Sequence, residues 1–211
     1  GPDTVGVMSN LPVLASTPSL VVKQQKEMLE VFTDFDDKNR YLVQMPDGRP
    51  AFYAAEVGSG AGEFLSRMFL KNSRPFTMQL MDPAGGVSLT LRRPWRWFFS
   101  RLHVTDGAGQ PIGSIQQKFK FFGRLFHVTD ASGQPVATIE GPFFRPWTFH
   151  VRVQGQEVGQ ISKKWSGLLK EAFTDADTFG VQFGPAMPAH HRALVLAATF
   201  LIDFLYFEDR G

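Results

Sequence analysis

A repeated hairpin pattern is the feature that most limits how this chain can fold. The run LHVTDGAGQPIGSIQQ at positions 102–117 recurs as FHVTDASGQPVATIEG at 126–141, and FHVRVQGQEVGQISKK at 149–164 has the same layout. Each copy is an alternating apolar run, a tight turn with glycine and a second alternating run, which is typical of a β-hairpin. A hairpin cannot bury its apolar face alone, so the copies must pack on their neighbours.

Weaker copies at 41–56, 76–91 and 173–183 extend the pattern over most of the chain. The turns carry Gly48, Gly85, Gly109, Gly133, Gly155 and Gly180. Six hairpins predict about twelve strands, and a sheet of that size usually curls or closes because closure removes its exposed edges. The sequence therefore predicts a mainly β fold, a closed antiparallel barrel.

The N-terminal part is less regular. Residues 1–20 contain three prolines and are expected to form an irregular lead-in to a single domain at 21–211. Within that domain, residues 21–35 are ambiguous, because their Lys, Gln, Glu and Leu favour a helix while VFTDF favours a strand.

The C-terminal segment at 193–207 is apolar except for Thr199 and Asp203. As a helix it would span about 22 Å, which is short of the roughly 30 Å hydrocarbon layer of a membrane. A transmembrane span would need its flanks and would carry Asp203 into the bilayer. A barrel of about twelve strands is too wide for its own side chains to fill. We therefore expect a helix at about 188–208 inside the barrel.

The connectors between hairpins should all emerge at one end of the barrel, opposite the glycine turns. They are residues 71–76, 92–101, 118–124, 143–147 and 163–170. All four tryptophans and more than half of the 22 lysines and arginines fall in them, and no acidic residue does. One rim is thus predicted to be basic and aromatic.

Three interpretations of this rim are open. Its rings could fold inward and cap the barrel, with arginine stems packed on them. Stacking rings and cations also suit single-stranded nucleic acid, but the net charge of +2 is small and no recognition motif is present. Tryptophan at the headgroup level, with basic neighbours, favours an anionic phospholipid membrane. The predicted membrane contacts are Arg92, Arg93, Trp95, Arg96, Trp97, Phe98, Phe99, Lys118, Lys120, Phe121, Phe122, Arg145, Trp147, Lys163, Lys164 and Trp165.

Several kinds of site are excluded or disfavoured. The chain has no cysteine, which excludes disulfides, thiol nucleophiles, zinc thiolates and palmitoyl anchors. No Ser-His-Asp spacing, phosphate loop or cofactor fingerprint occurs. His103, His127 and His150 occupy equivalent positions of three hairpins, so duplication explains them better than a metal site does. We therefore expect no covalent chemistry.

Two blocks, GQISKKWSGLLKEAFTDADTFGVQF at 159–183 and FLIDFLYFE at 200–208, closely resemble the phospholipid scramblase family. The segments at 22–35, 51–56 and 73–94 also resemble it. The resemblance implies a tubby-like fold, a twelve-stranded barrel around a hydrophobic C-terminal helix. It implies calcium-activated, ATP-independent, bidirectional movement of phospholipids between leaflets, at the cytoplasmic face of a membrane. The alternative is a peripheral anionic-lipid-binding or adaptor module without transport; protein partners and oligomeric state are left open.

The family's calcium loop matches a segment that ends at Ala186. Its matched positions are Asp175, Asp177, Phe179, Val181 and Phe183. Calcium takes six to eight oxygen ligands, and loops of this kind close with an acid, where this chain has Ala186. Calcium as a cofactor would therefore be weak or need backbone, water or lipid phosphate oxygens. The alternative is an Asp-rich hairpin turn at Thr178 and Gly180.

A second departure concerns the membrane anchor. Family members often carry a palmitoylated cysteine cluster after the Arg-Pro that matches Arg93-Pro94. Here the same place holds Trp95, Trp97, Phe98 and Phe99. We hypothesise that aromatic rings inserted into the membrane replace acyl chains as the anchor at this position.

Overall fold

A computed structural model describes residues 11–25, 40–57, 75–96, 98–163 and 178–207. Within these residues, twelve strands form one closed antiparallel barrel around a helix. The strands are β1 Ser19–Gln24, β2 Arg40–Gln44, β3 Pro50–Glu56, β4 Phe76–Met81, β5 Val87–Arg93, β6 Arg101–Asp106, β7 Pro111–Lys118, β8 Arg124–Asp130, β9 Pro135–Gly141, β10 Thr148–Val153, β11 Gln156–Ser162 and β12 Thr178–Gln182. The helices are α1 Pro12–Ser16 and α2 Ala189–Ile202, which continues as a π-helical turn, Asp203–Phe207. The predicted fold class is confirmed.

Each strand pairs with the strands before and after it in sequence, and β1 pairs with β12 to close the barrel. At this seam Leu20 lies opposite Val181, and Val22 lies opposite Phe179. Closure leaves no strand of the barrel with an unpaired edge, which is the reason that a sheet of this size was expected to close.

The turn glycines were predicted correctly at five of the six positions. The five have positive φ angles: Gly48, Gly85, Gly109, Gly133 and Gly155. The sixth prediction is wrong, because Gly180 lies within β12, opposite Val21 of β1 and Ser162 of β11. The buried Phe179 and Val181 continue the apolar alternation through the glycine, and this pattern outweighs its turn preference. Twelve strands arise from five hairpins plus β1 and β12.

The lead-in is more ordered than its prolines suggested. Helix α1 buries Leu14 completely, and β1 begins at Ser19, earlier than the expected domain start at residue 21. The ambiguous segment forms a strand as far as Gln24, while residues 26–35 lie outside the described residues.

Helix α2 lies inside the barrel, as predicted. It is buried on every side from Arg192 to Ile202. The barrel wall makes room for it at Gly113, where a Cβ atom would lie 3.0 Å from Leu194 Cδ1. No helix in the described ranges is long and apolar enough to span a bilayer.

The two ends of the barrel differ. We call the end that carries the five glycine turns the turn end, and the opposite end, where the connectors lie, the mouth. Helix α2 begins at the turn end and its π-helical turn reaches the mouth, where Phe204 packs on Phe76 with ring centroids 4.9 Å apart. Phe76 begins β4 directly after a connector.

Arg192 seals the turn end. Its Nη1 donates to the carbonyls of Leu14 and Thr17 at 3.1 and 2.5 Å, and its Nε donates to the Met187 carbonyl at 2.8 Å. Its Nη2 donates to the carbonyls of Gly184 and Pro185 at 3.4 and 3.3 Å. One buried guanidinium thereby ties α1, the segment before α2 and α2 itself together.

Candidate membrane-contact site at the barrel mouth

The mouth exposes aromatic side chains in the connectors β5–β6, β7–β8 and β9–β10, which are neighbours around the barrel. We call these side chains the collar: Trp95, Phe98, Phe99, Phe119, Phe121, Phe122, Phe143 and Phe144. Phe98 and Phe144 are 80% and 79% exposed, and Phe121 and Phe122 are each 75% exposed. Among the described residues, Val87 is the one other large hydrophobic side chain that is exposed. Apolar exposure concentrated in one place marks an interaction surface.

Local backbone geometry directs the β7–β8 rings outward. Gly123 has φ +141°, and a Cβ there would lie 2.9 Å from the Gly141 carbonyl oxygen, so only glycine allows this close turn. The turn leaves Phe121 and Phe122 at its tip, where the two rings meet edge to face with centroids 4.8 Å apart. The rings contact each other, and neither packs into the core.

Side-chain hydrogen bonds hold the β5–β6 connector. Phe99 has φ +47°, a conformation that costs a non-glycine residue about 1–2 kcal/mol. The Ser100 amide donates to Gln117 Oε1 at 2.9 Å, and Gln116 Nε2 donates to the Phe99 carbonyl at 3.3 Å. The strained conformation is therefore fixed from strand β7 while the Phe99 ring stays 45% exposed.

Basic side chains flank the collar as predicted from the connectors. Arg92, Arg96, Lys118 and Arg145 are exposed, and Lys120 lies 3.2 Å from Glu140 Oε2. Each basic group near an anionic leaflet contributes about 1 kcal/mol of attraction. The rim thus combines exposed apolar rings with exposed basic side chains.

Other predicted contacts lie elsewhere. Arg93 is 3% exposed and donates to Ser100 Oγ at 2.6 Å, so it lies inside the mouth and not on the rim. The Lys163 side chain is 12% exposed and also lies inside, while Trp147 is partly buried. The sequence could not distinguish these residues because the last residue of a strand and the first of a connector look alike. Trp97, Lys164 and Trp165 lie outside the described residues.

An inner layer of three cations surrounds the end of α2. Arg93 lies over the Phe204 ring at 4.6 Å, Arg124 over the Tyr206 ring at 4.9 Å, and Lys163 over the Phe207 ring at 4.5 Å. The C-terminal end of a helix carries partial negative charge, which cations stabilise. Arg124 was not among the predicted contacts, and its place in the 118–124 connector was the only signal for it.

Asp203, the acidic residue of the apolar segment, lies in the same layer and is 5% exposed. The Tyr41 hydroxyl donates to its Oδ2 at 2.5 Å, and Lys163 Nζ lies 3.9 Å from its Oδ1. A buried carboxylate is tolerated when it is hydrogen-bonded and paired. This explains how an Asp can end a helix that fills the barrel.

Charge and burial shift several pKa values at the mouth. Burial lowers the pKa of the Arg124 guanidinium and raises that of the Tyr206 hydroxyl, and the Arg124 charge partly offsets the latter. Burial, and then the charges of Arg92, Arg101 and Arg96, lower the pKa of His103. The first two shifts come mainly from burial, and the shift of His103 also reflects the three arginines around it.

Comparisons with known proteins agree with this fold. The sequence model of the Scramblase family matches residues 2–209. The chain belongs to the scramblase family. Mouse phospholipid scramblase 1 is 33% identical over 224 residues, which cover 100% of this chain and 67% of the relative. Human phospholipid scramblase 2 is 31% identical over 221 residues, 98% of this chain and 73% of that relative.

The fold recurs in a more distant protein. The X-ray structure of a protein from Arabidopsis thaliana superimposes with a TM-score of 0.52, covering 90% of this chain and 94% of that one. At 11% sequence identity, this likeness concerns the fold alone. The scramblase family member described here and the plant protein thus share one barrel architecture, consistent with the tubby-like fold.

Only part of the scramblase calcium loop is described. Phe179 and Val181 lie in β12, and the side chains of these two residues and of Phe183 are at most 4% exposed and carry no oxygen. Val181 is paired on both sides, so its backbone groups face neighbouring strands. This portion does not fit a calcium site, while Asp175 and Asp177 lie outside the described residues. Within the described ranges no three His, Asp or Glu side chains cluster as a metal site would require.

Proposed function

We propose that this scramblase family member docks its mouth onto an anionic phospholipid membrane and moves phospholipids between the two leaflets in both directions without ATP. The single observation that carries the docking step is the collar, which concentrates the exposed rings of the described residues at one barrel end. The relatives named phospholipid scramblase support the transport step. No covalent chemistry is part of the proposal.

The energetics favour insertion of the collar. Moving one phenylalanine from water into an apolar environment contributes about 1.5–3 kcal/mol. Phe98, Phe121, Phe122 and Phe144 are each at least 75% exposed, so insertion costs them no contact with the core. The basic flank adds attraction to anionic lipid, which is enriched in the cytoplasmic leaflet. We therefore propose the cytoplasmic face as the site of docking.

The filled barrel limits how lipid can move. Helix α2 occupies the interior, and its residues from Ala193 to Ala198 are fully buried. A phospholipid headgroup has no polar route through such an interior. Transport would therefore occur at the outside of the protein, where the inserted collar displaces lipids and lowers the barrier for a headgroup to cross the distorted bilayer.

A fluorescent-lipid flip assay in proteoliposomes tests both steps. The test variant replaces Phe98, Phe121, Phe122 and Phe144 by Ser, and the control variant is Val87→Ser, since Val87 is also exposed but lies at the turn end. The collar variant should lose vesicle co-sedimentation and lipid flipping, whereas the control should keep both. Unchanged sedimentation of the collar variant would reject docking through the mouth.

The second candidate is a peripheral module that binds anionic lipid without moving it. The filled interior favours this candidate, because it leaves the protein itself with no lipid pathway. The same assay separates the two: vesicle binding without flipping would support the module, and flipping that depends on the collar would support transport.

Calcium activation stays a separate prediction from the resemblance. Its support is the pair of carboxylates at Asp175 and Asp177, and the buried Phe179 and Val181 add no side-chain ligand. No step of the docking proposal depends on the ion. We expect Asp175→Ala to remove any calcium binding in titration calorimetry and any calcium response of flipping. Equal heats for wild type and Asp175→Ala would contradict the prediction.

A further inference from the structure

Arg124, which is partly buried, differs from the buried Arg192 in its surroundings. It begins β8 directly after the β7–β8 connector, on the inner side of the mouth, and its guanidinium lies 4.3 Å from the centroid of the Phe149 ring and 4.9 Å from that of Tyr206. Its neighbour in β9 is Gly141, which precedes the connector that carries Phe143 and Phe144. The guanidinium thus lies at the base of two of the three collar loops.

The Arg124 guanidinium packs on two rings, and among the described residues no carboxylate pairs with it. Within the described ranges, its Nε and Nη2 are buried and have no hydrogen-bond partner. Burial lowers its pKa, and the one group that opposes this effect is the Tyr206 hydroxyl, not a carboxylate. Arg192 at the turn end shows the contrast, because it donates to five carbonyls. A partly buried cation without such bonds costs free energy in the unbound protein.

The barrel wall nevertheless keeps this position open for the guanidinium. A Cβ atom at Gly141 would lie 2.7 Å from Phe149 Cε1 and 3.2 Å from Arg124 Nε. Any other residue at position 141 would displace the ring or the guanidinium. Polar groups lie beside them, since Gln117 Nε2 donates to the Tyr206 hydroxyl at 3.3 Å. The fold therefore holds an unpaired cation in place at the surface that we propose meets the membrane.

We propose that Arg124 binds the phosphate group of a phospholipid whose acyl chains contact the collar. This inference rests on the docking proposal above. When the collar rings enter the apolar layer, the inner layer of the mouth lies level with the lipid phosphates. Because Nε and Nη2 are buried, Nη1 is the nitrogen that can donate to a phosphate oxygen. Such a charge-assisted hydrogen bond is about twice as strong as a neutral one. The phosphate would supply a counter-charge that the described part of the chain does not.

The test compares Arg124→Met with Arg124→Lys and with a control, Arg49→Met. Arg49 lies at the turn end, exposed and 2.6 Å from Asp47, so the control removes the same charge far from the mouth. Binding is measured by tryptophan fluorescence on two kinds of vesicle of equal surface charge. One kind contains phosphatidylcholine and phosphatidylglycerol, and the other contains phosphate-free galactolipids and a fatty acid.

We expect Arg124→Met to bind the phospholipid vesicles about tenfold more weakly than wild type, the loss of one charge-assisted contact. Its binding to galactolipid vesicles should not fall, because they contain no phosphate. Its melting temperature should change little, because methionine can keep the packing on the Phe149 and Tyr206 rings. Arg124→Lys should be intermediate, since a lysine keeps the charge but not the planar guanidinium that packs on the two rings. Arg49→Met should match wild type on both vesicles.

Four results would overturn the inference. Equal phospholipid binding by Arg124→Met and wild type would show that no phosphate contact exists. A lower melting temperature with equal losses on both vesicles would assign Arg124 a purely structural role beneath the rings. A rise in wild-type melting temperature with inorganic phosphate alone, absent in Arg124→Met, would assign the site to soluble anions. If wild type binds neither vesicle, the docking proposal fails as well; in the other cases it stands.

Discussion

The two ends of the barrel are built from the same strands but differ in the hydrogen bonding and exposure of their side chains. At the turn end, Asp106 and Asp130 each accept hydrogen bonds from two backbone amides of their own turns, and Arg192 bonds to five carbonyls. At the mouth, large rings face solvent and Arg124 has buried nitrogens without partners. Within the described residues, the turn end therefore bonds its buried guanidinium to several carbonyls, whereas the mouth leaves large rings exposed and two buried nitrogens of Arg124 without a hydrogen-bond partner.

The largest expected effect is a loss of stability caused by a substitution at the turn end. Arg192→Met should lower the free energy of unfolding by about 3–5 kcal/mol, because four buried carbonyls and the partly buried carbonyl of Pro185 lose a donor. Denaturant unfolding measures this change. The folded fraction should still bind vesicles, since the mouth is untouched. A loss below about 1 kcal/mol would mean that water replaces the guanidinium and that the turn end is not sealed by it.

The next largest effect is a loss of vesicle affinity caused by substitutions in a single loop of the mouth. Phe121 and Phe122 are each 75% exposed, so replacing both by Ser should leave the free energy of unfolding within about 0.5 kcal/mol of wild type. Vesicle affinity should fall about 100-fold, from about 3 kcal/mol of lost insertion energy. Val87→Ser is the matched control at the turn end. A variant that melts lower without losing vesicle affinity would show that these rings serve the fold.

A third change probes the boundary between the mouth and the core. Asp203→Asn keeps an acceptor for the Tyr41 hydroxyl but removes the charge opposite Lys163, so we expect a loss of about 1–3 kcal/mol in unfolding free energy. Thermal melting gives the measurement, with Tyr41→Phe as the companion variant. If both variants melt like wild type, the buried polar layer would contribute nothing to holding α2 in the barrel.

The smallest effect is a pH dependence at the turn end. Burial lowers the pKa of His190 and His191 below the ordinary 6.5, while Asp130 partly opposes this. The folded state then binds fewer protons than the unfolded state, so stability is full above about 6.5 and declines as the pH falls below it. His191→Gln should flatten the decline in melting temperature. An equally steep decline in that variant would point to another group.

The sequence predicted the barrel and its central helix well. The repeated hairpin pattern indicates the strands, and the length of the apolar segment at 193–207 indicates a helix too short to span a membrane. The count of twelve strands was correct although one hairpin was wrong, since Gly180 lies in a strand that pairs across the seam. The exposed rings of the mouth followed from the connector pattern. Arg93 was predicted as a membrane contact but lies inside the mouth, and Arg124 and Arg192 were given no role. Their roles depend on which way a side chain points at the end of an element.

The closing seam has a consequence for how the chain is made. Leu20, near the start, pairs with Val181, and the helix that must lie inside the barrel follows that strand in the chain. During synthesis on the ribosome, β2 to β11 can therefore pair with their neighbours. The barrel cannot close around α2 until β12 and α2 have emerged. Contacts between such distant positions slow folding. Until β12 and α2 have emerged, the open strands of the nascent chain expose apolar surface, which promotes aggregation.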